Sequence, residues 1–240
     1  MFPYDAALAA AVQTPPQTID GVLQTMRTID ATCADADGLK WFNGLYLQVT
    51  EAVAARVAAG TFADPAWIAN LDVQFALLYF SALQAQLSEA PCPTCWRVLF
   101  DCRNNPAIAR IQFALAGINA HINYNLSAAI VVTCQATHTV PQQETQQYND
   151  YTSLNPTLSG IIDTAKQTLQ VRLPGDPLPA VSHLENIIAA WDVGAARDAA
   201  WTNGELLWHL RDVPALSSRF LDTLDGSVTV IGKTLLVPVP

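Results

Sequence analysis

Apolar residues recur along this chain at intervals of three and four almost from end to end, the spacing that places them on one face of an α-helix. Between Pro16 and Thr32 the apolar edge is Ile19, Leu23, Met26 and Ile29. A second helix is expected from an N-cap at Asp37 to a stop at Gly60, with Trp41, Phe42, Leu45, Val49, Ala52 and Val53 on one face. Asp64 followed by Pro65 opens a third, which runs to about Glu89, where "PCP" ends it. A short helix follows at Thr94–Cys102. The same cap-then-proline pair at Asn105 and Pro106 then opens a long helix to about 135 that carries no lysine or acid between 107 and 135.

Beyond it the pattern weakens. Residues 135–156 are polar and poorly periodic, a loop with room for one helical turn and suited to act as a lid. Asn155 and Pro156 begin a helix to about Arg172, "LPGDPLP" reads as linker, and helices are expected at 179–192, 194–212 and 214–224. The tail "GSVTVIGKTLLVPVP" turns to β-branched residues around a central Gly-Lys, which predicts a small β-hairpin or extended arm. With no internal repeat, and a C-terminal piece too small to hold a core alone, the pattern predicts a single all-α domain over 1–240, a helical bundle with that tail packed on it.

Composition narrows the partners. Only 14% of residues are charged and 51% are hydrophobic, yet no apolar run approaches the ~18 uncharged residues of a membrane span without a polar interruption. The net charge of −9, with no Lys/Arg cluster, argues against nucleic acid and anionic membrane surfaces as partners. "MFPYDAALAAAVQTPPQ" lacks the basic start of a secretory signal, which leads to an expectation of a cytoplasmic protein. Five cysteines form an odd set, and "PCPTCW" reads as a proline-rich turn with two ordinary thiols, since the second pair that a zinc site needs is missing.

One charge is out of place. On the helix beginning at Pro65, Asn70, Gln74, Ser81 and Gln84 share the wet face, while Asp72 falls opposite, among Ile68, Ala76, Tyr79 and Leu83. A carboxylate there needs a cation, a donor network or a metal, or it takes up a proton. His121 and Arg56 are the leading candidates to reach it. The long helix carries two polar stripes, Gln112, Asn119 and Asn123 on one side and Arg110, His121 and Asn125 on the other, which suits a helix surrounded by protein. If this helix and the Asp72 helix are antiparallel neighbours, Asp72 and His121 meet at similar depth. The carboxylate would then set the imidazole tautomer and leave the second nitrogen as acid, base or metal ligand. A purely structural Asp–Arg or His–Asn network fits the same residues. His138, His183 and His209 have weaker settings, and Arg197 and Arg211 lie on the tryptophan-bearing side of their helix, where they stack or snorkel. No H-E-x-x-H, Walker, G-x-S-x-G or dinucleotide motif occurs, and the helices lack the carboxylates of a ferritin-like di-iron site.

"LDVQFALLYF" with "IQFALAGINAHINYNL" resembles the pattern of an uncharacterised, mostly bacterial helical family catalogued as domain of unknown function 5995, with similarity from "DGLKWFNGLY" through "LLWHLR" to "LLVPVP". The resemblance implies a single helical domain and draws attention to Asp72, Asn119, His121 and Asn123. It implies no reaction, and "PCPTC" lies outside it.

The resulting expectation is an internal, mostly apolar pocket between the 65–89 and 106–135 helices. Asp72 and His121 are the catalytic candidates, with Tyr79, Asn119, Asn123 and Arg110 as substrate contacts. The expected function is cofactor-independent acid–base catalysis on a small hydrophobic metabolite, such as cyclisation, isomerisation or dehydration, with no metal required. A non-catalytic small-molecule carrier is one alternative. A metal-dependent hydrolase or oxygenase using Asp72 and His121 as ligands is the other.

Overall fold

A computed structural model describes residues 2–169 and 191–238. Its helices are α1 (Asp5–Val12), α2 (Ile19–Thr32), α3 (Gly38–Ala58), α4 (Pro65–Leu87), α5 (Thr94–Cys102) and α6 (Arg110–Ala120). A π-helical turn (His121–Asn125) then leads into α7 (Leu126–Thr137), α8 (Gln146–Thr152), α9 (Asn155–Leu169), α10 (Val193–Leu210) and α11 (Pro214–Leu235). The linker "LPGDPLP", the helix expected at 179–192 and His183 lie outside the described residues.

Side-chain caps set several of the helix starts. Thr18 accepts from Gly21 N, Asp37 from Leu39 N at 3.0 Å and Asp64 from Trp67 N at 3.0 Å, with Pro65 in the first turn. Gly60 takes φ 64° just beyond α3, the left-handed value at which glycine stops a helix without strain.

Helices α3 and α6 run side by side in the same direction at unusually close range. A Cβ on Gly38 would meet the Phe113 ring at 2.4 Å, and one on Gly117 would meet Phe42 at 2.3 Å. Each glycine thus receives an aromatic ring from the opposite helix. Trp67 lies beside Cys134 and Phe75 against His121, so α4 is antiparallel to the α6–α7 rod. The core runs through Trp67, Trp96, Trp201, Tyr46, Tyr79 and Phe42, each no more than 2% exposed. α4 is long and apolar enough to cross a membrane, but more than half of its most apolar window is packed inside the protein.

Three expectations are corrected. No strand forms among the described residues, and the tail is helical to Leu235. Val228, Thr229, Gly232 and Leu235 recur at helical spacing and are buried against α6. There Asn119 Nδ2 donates to the Val228 carbonyl at 3.0 Å and Gln112 Nε2 to the Leu235 carbonyl at 2.7 Å, so tertiary contacts override the β-branched composition. Second, Asn105 and Pro106 form a turn, with Asn105 Oδ1 accepting from Ala107 N, and α6 starts only at Arg110. Third, the expected long helix is continuous from Arg110 but widened by the π turn, where Leu126 N donates to the His121 carbonyl.

Candidate functional site

Asp72 lies where the wheel places it. It is 7% exposed, Ile68, Ala76, Tyr79 and Leu83 are buried around it, and Asn70, Gln74 and Gln84 are only partly covered. Its expected partners do not reach it. Arg56 points the other way, donating through Nη1 to the Ser153 carbonyl at 2.7 Å and through Nη2 to Ser153 Oγ at 3.0 Å, with its guanidinium over the Phe62 ring. The two helices that carry Asp72 and His121 do meet, but around His121 the space between them is filled by aromatic rings, and no shared cavity joins the two residues.

His121 is stacked on Phe75 with ring centroids 3.5 Å apart, and meets Tyr46 edge-on at 4.3 Å, with Phe42, Tyr79 and Trp96 around it. Its one hydrogen bond is to Asn125, with Nδ2 3.3 Å from Nδ1. With Asn125 as donor, Nδ1 accepts and the ring hydrogen rests on Nε2, which has no hydrogen-bond partner among the described residues. Burial alone holds its pKa well below the usual histidine value, so the ring is neutral.

The Asp72 carboxyl has no hydrogen-bond partner among the described residues, and its Oδ2 is fully enclosed. Burial raises its pKa from 3.8 to about 7. It forms part of the wall of a partly open cavity of about 40 Å³, room for roughly one or two waters. Tyr46 and Val49 from α3, Leu126 from α7, Leu158 from α9 and Arg197 from α10 complete much of the wall. The Tyr46 phenol, next to Thr50, completes no hydrogen bond of its own, and burial followed by the Asp72 charge holds its pKa well above the ordinary value.

Arg197 and Tyr46 are the two site residues that sequence reasoning missed. Arg197 was placed on the correct side of its helix, but it stacks on Tyr151 at 3.8 Å rather than on a tryptophan, while Arg211 does lie over Trp208 at 4.2 Å. A signal was present. On α10 the buried stripe is Val193, Arg197, Ala200, Trp201, Gly204 and Leu207, so Arg197 is misplaced there in the same way that Asp72 is on α4. Nothing in the sequence separates Tyr46 from the other aromatic residues on its face of α3.

The remaining candidates are dispersed. Tyr79 Oη donates to Asn43 Oδ1 at 3.3 Å, Asn123 Nδ2 donates to Asn119 Oδ1 at 3.0 Å, and Asn119 is committed to α11. Arg110 lies over the Trp41 ring at 4.2 Å. A separate cleft of about 220 Å³ runs between α4, the "PCP" segment and the π turn, lined by Leu78, Ala82, Tyr124 and Asn125 among others. Among the described residues no three His, Cys, Asp or Glu side chains converge as metal ligands. The cysteines are unpaired, and burial pushes the Cys92 thiol up to about 11.

The fold and site define an all-α protein with a titratable acid and a cation on the wall of one small internal cavity. The sequence profile of a family of unknown function (DUF5995) matches residues 19–238, so the chain belongs to that family. No curated protein and no solved structure matches it.

Proposed function

We propose that this protein is a cofactor-independent enzyme that acts on a small hydrophobic metabolite by acid–base catalysis, with the Asp72 carboxyl as the proton-transferring group. The observation that carries this reading is a buried carboxyl without a hydrogen-bond partner on the wall of a cavity. A carboxyl that only held helices together would be expected to spend its oxygens on donors, as Asp37, Asp64 and Asp150 do in this molecule. Asp72 is neutral or charged with little bias at its pKa of about 7, which suits either taking up or giving a proton. The reaction class that such a group serves without a cofactor is a cyclisation, isomerisation or dehydration. The Tyr46 hydroxyl beside it is a second donor for an oxygen on the substrate, and His121 acts through packing on Tyr46 and Phe75.

The test is consumption of small apolar metabolites from a defined mixture, followed by mass spectrometry with wild-type protein and Asp72→Asn. Wild type is expected to deplete at least one compound, and the variant to do so roughly 10²–10⁴-fold more slowly while remaining folded. Equal depletion by both would sink the reading. A non-catalytic carrier is the second reading. It is favoured by the apolar cleft of about 220 Å³ near Asn125, which is ligand-sized and lies away from Asp72; it predicts retention of a compound without its conversion.

A further inference from the structure

Acid–base chemistry at Asp72 leaves Arg197 unexplained. The residue is 5% exposed, Nε donates to Asn155 Oδ1 at 2.7 Å, and Nη2 donates to the Tyr151 carbonyl at 2.8 Å. Tyr151 Oη returns a hydrogen bond to the Arg197 carbonyl at 2.7 Å. These contacts fix the guanidinium without neutralising it. Among the described residues Nη1 makes no hydrogen bond and no carboxylate lies within ion-pair distance. Arginine does not shed its proton, so the charge cannot be removed as the Asp72 charge is. Burial lowers the Arg197 pKa, opposed first by Tyr151 and then by the exposed Asp198.

The titratable groups around the cavity are Tyr46 from α3, Asp72 from α4 and Arg197 from α10. Asp72 has no hydrogen-bond partner among the described residues and Arg197 donates to Asn155 and Tyr151, so the two groups share the wall without pairing. Most of the remaining wall is aliphatic, with Val49, Val53, Leu71, Leu154 and Leu158.

We infer that the cavity receives a small apolar monocarboxylic acid, its carboxylate held by the unused N–H groups of Arg197 and its reacting carbons directed along the aliphatic wall toward Asp72. This rests on the reading of Asp72 as the group that moves the proton. One guanidinium balances one carboxylate, whereas a dianionic phosphate would keep an unpaired charge among aliphatic side chains. The volume of about 40 Å³ admits little more than the carboxylate itself, so the acid enters head first with its carbons toward the opening.

Isothermal titration of the full chain with butyrate, hexanoate and octanoate, each against the primary alcohol of equal length, tests the inference. Each acid is expected to bind at least roughly tenfold more tightly than its alcohol. The preference should disappear in Arg197→Gln and persist in Asp72→Asn. Arg197→Gln also removes support from Tyr151 and Asn155, so Arg197→Lys, which keeps the charge and loses the fork, serves as the second variant and should weaken the preference several-fold. In wild type, hexanoate labelled with ¹³C at the carboxyl should stay ionised, when bound, to a lower pH than when free. Acids bound no better than alcohols, or a preference that survives in Arg197→Gln, would overturn the inference. The two readings fail separately. Tight acid binding with Asp72 titrating as an ordinary aspartate keeps the anion site and removes the acid–base role. Asp72 titrating near 7 without preference for acids does the reverse.

Discussion

Arg103 and Arg197 are both more than nine-tenths buried, but Arg103 lies between two carboxylates and Arg197 between a carbonyl and an amide oxygen. Arg103 Nε donates to Asp37 Oδ1 at 2.9 Å, Nη2 makes a short contact with Asp37 Oδ2, and Nη1 reaches Asp5 at 3.0 Å. Burial works against that charge, yet the hydrogen bonds and charges of Asp37 and then Asp5 raise its pKa overall; for Arg197 burial prevails and the pKa falls. The Arg103 cluster ties α1, the start of α3 and the end of α5 together, and its bonds are used up in doing so. Arg197 shares its surroundings with a cavity and retains donors. A buried charge whose partners are all supplied by the chain reads as architecture, and one whose partners are missing reads as a place kept for a ligand.

The largest expected effect comes from breaking the satisfied cluster. Arg103→Leu leaves the buried Asp37 and the half-buried Asp5 without their cation and should lower the unfolding free energy by about 3–5 kcal/mol in urea melts. The next concerns Asp72. Burial lifts its pKa from 3.8 in the unfolded chain to about 7 in the folded one, so the folded protein binds that proton more tightly. The resulting stability is complete below the unfolded value and is lost as pH rises through the folded one. Relative to Asp72→Asn, wild type should therefore lose about 2–3 kcal/mol between pH 5 and pH 8; parallel curves would mean that Asp72 has a partner after all. The smallest effect is expected from Arg197→Leu, which removes two hydrogen bonds but also an unpaired charge, and should cost about 1–2 kcal/mol. A loss as large as that of Arg103→Leu would abolish the distinction between the two arginines.

Much of this was legible in the sequence where it depended on neighbours along one helix. The burial of Asp72, the caps at Asp37 and Asp64 and the stop at Gly60 all follow from periodicity and turn chemistry. Partners across the chain were not. Arg56 and Arg197 look alike on their wheels, and only the packing of α8 to α10 decides that one reaches Ser153 and the other lines the cavity. Asn119 and Asn123 read as substrate contacts because the second half of α11, which takes the Asn119 hydrogen bond, reads from sequence as a hairpin or extended arm. Both errors have one physical source: side-chain amides and guanidinium groups serve a helix end, a neighbouring carbonyl or a ligand equally well, and sequence spacing does not distinguish these.

The wide turn from His121 to Asn125 makes chain length there a structural setting. A π turn holds one residue more than an α turn, so α7 is rotated by about 100° from where an unbroken helix would carry it. α6 is pegged to α11 through Gln112 and Asn119, while α7 presents Ile130 to Gly204 of α10, where a Cβ would come within 3.2 Å. Losing a single residue would leave α6 pegged as it is and turn Ile130 away from Gly204, and no side-chain change nearby would restore the fit. The extra residue acts as a phase adjuster, letting one continuous rod mesh with two neighbours whose grooves are out of step.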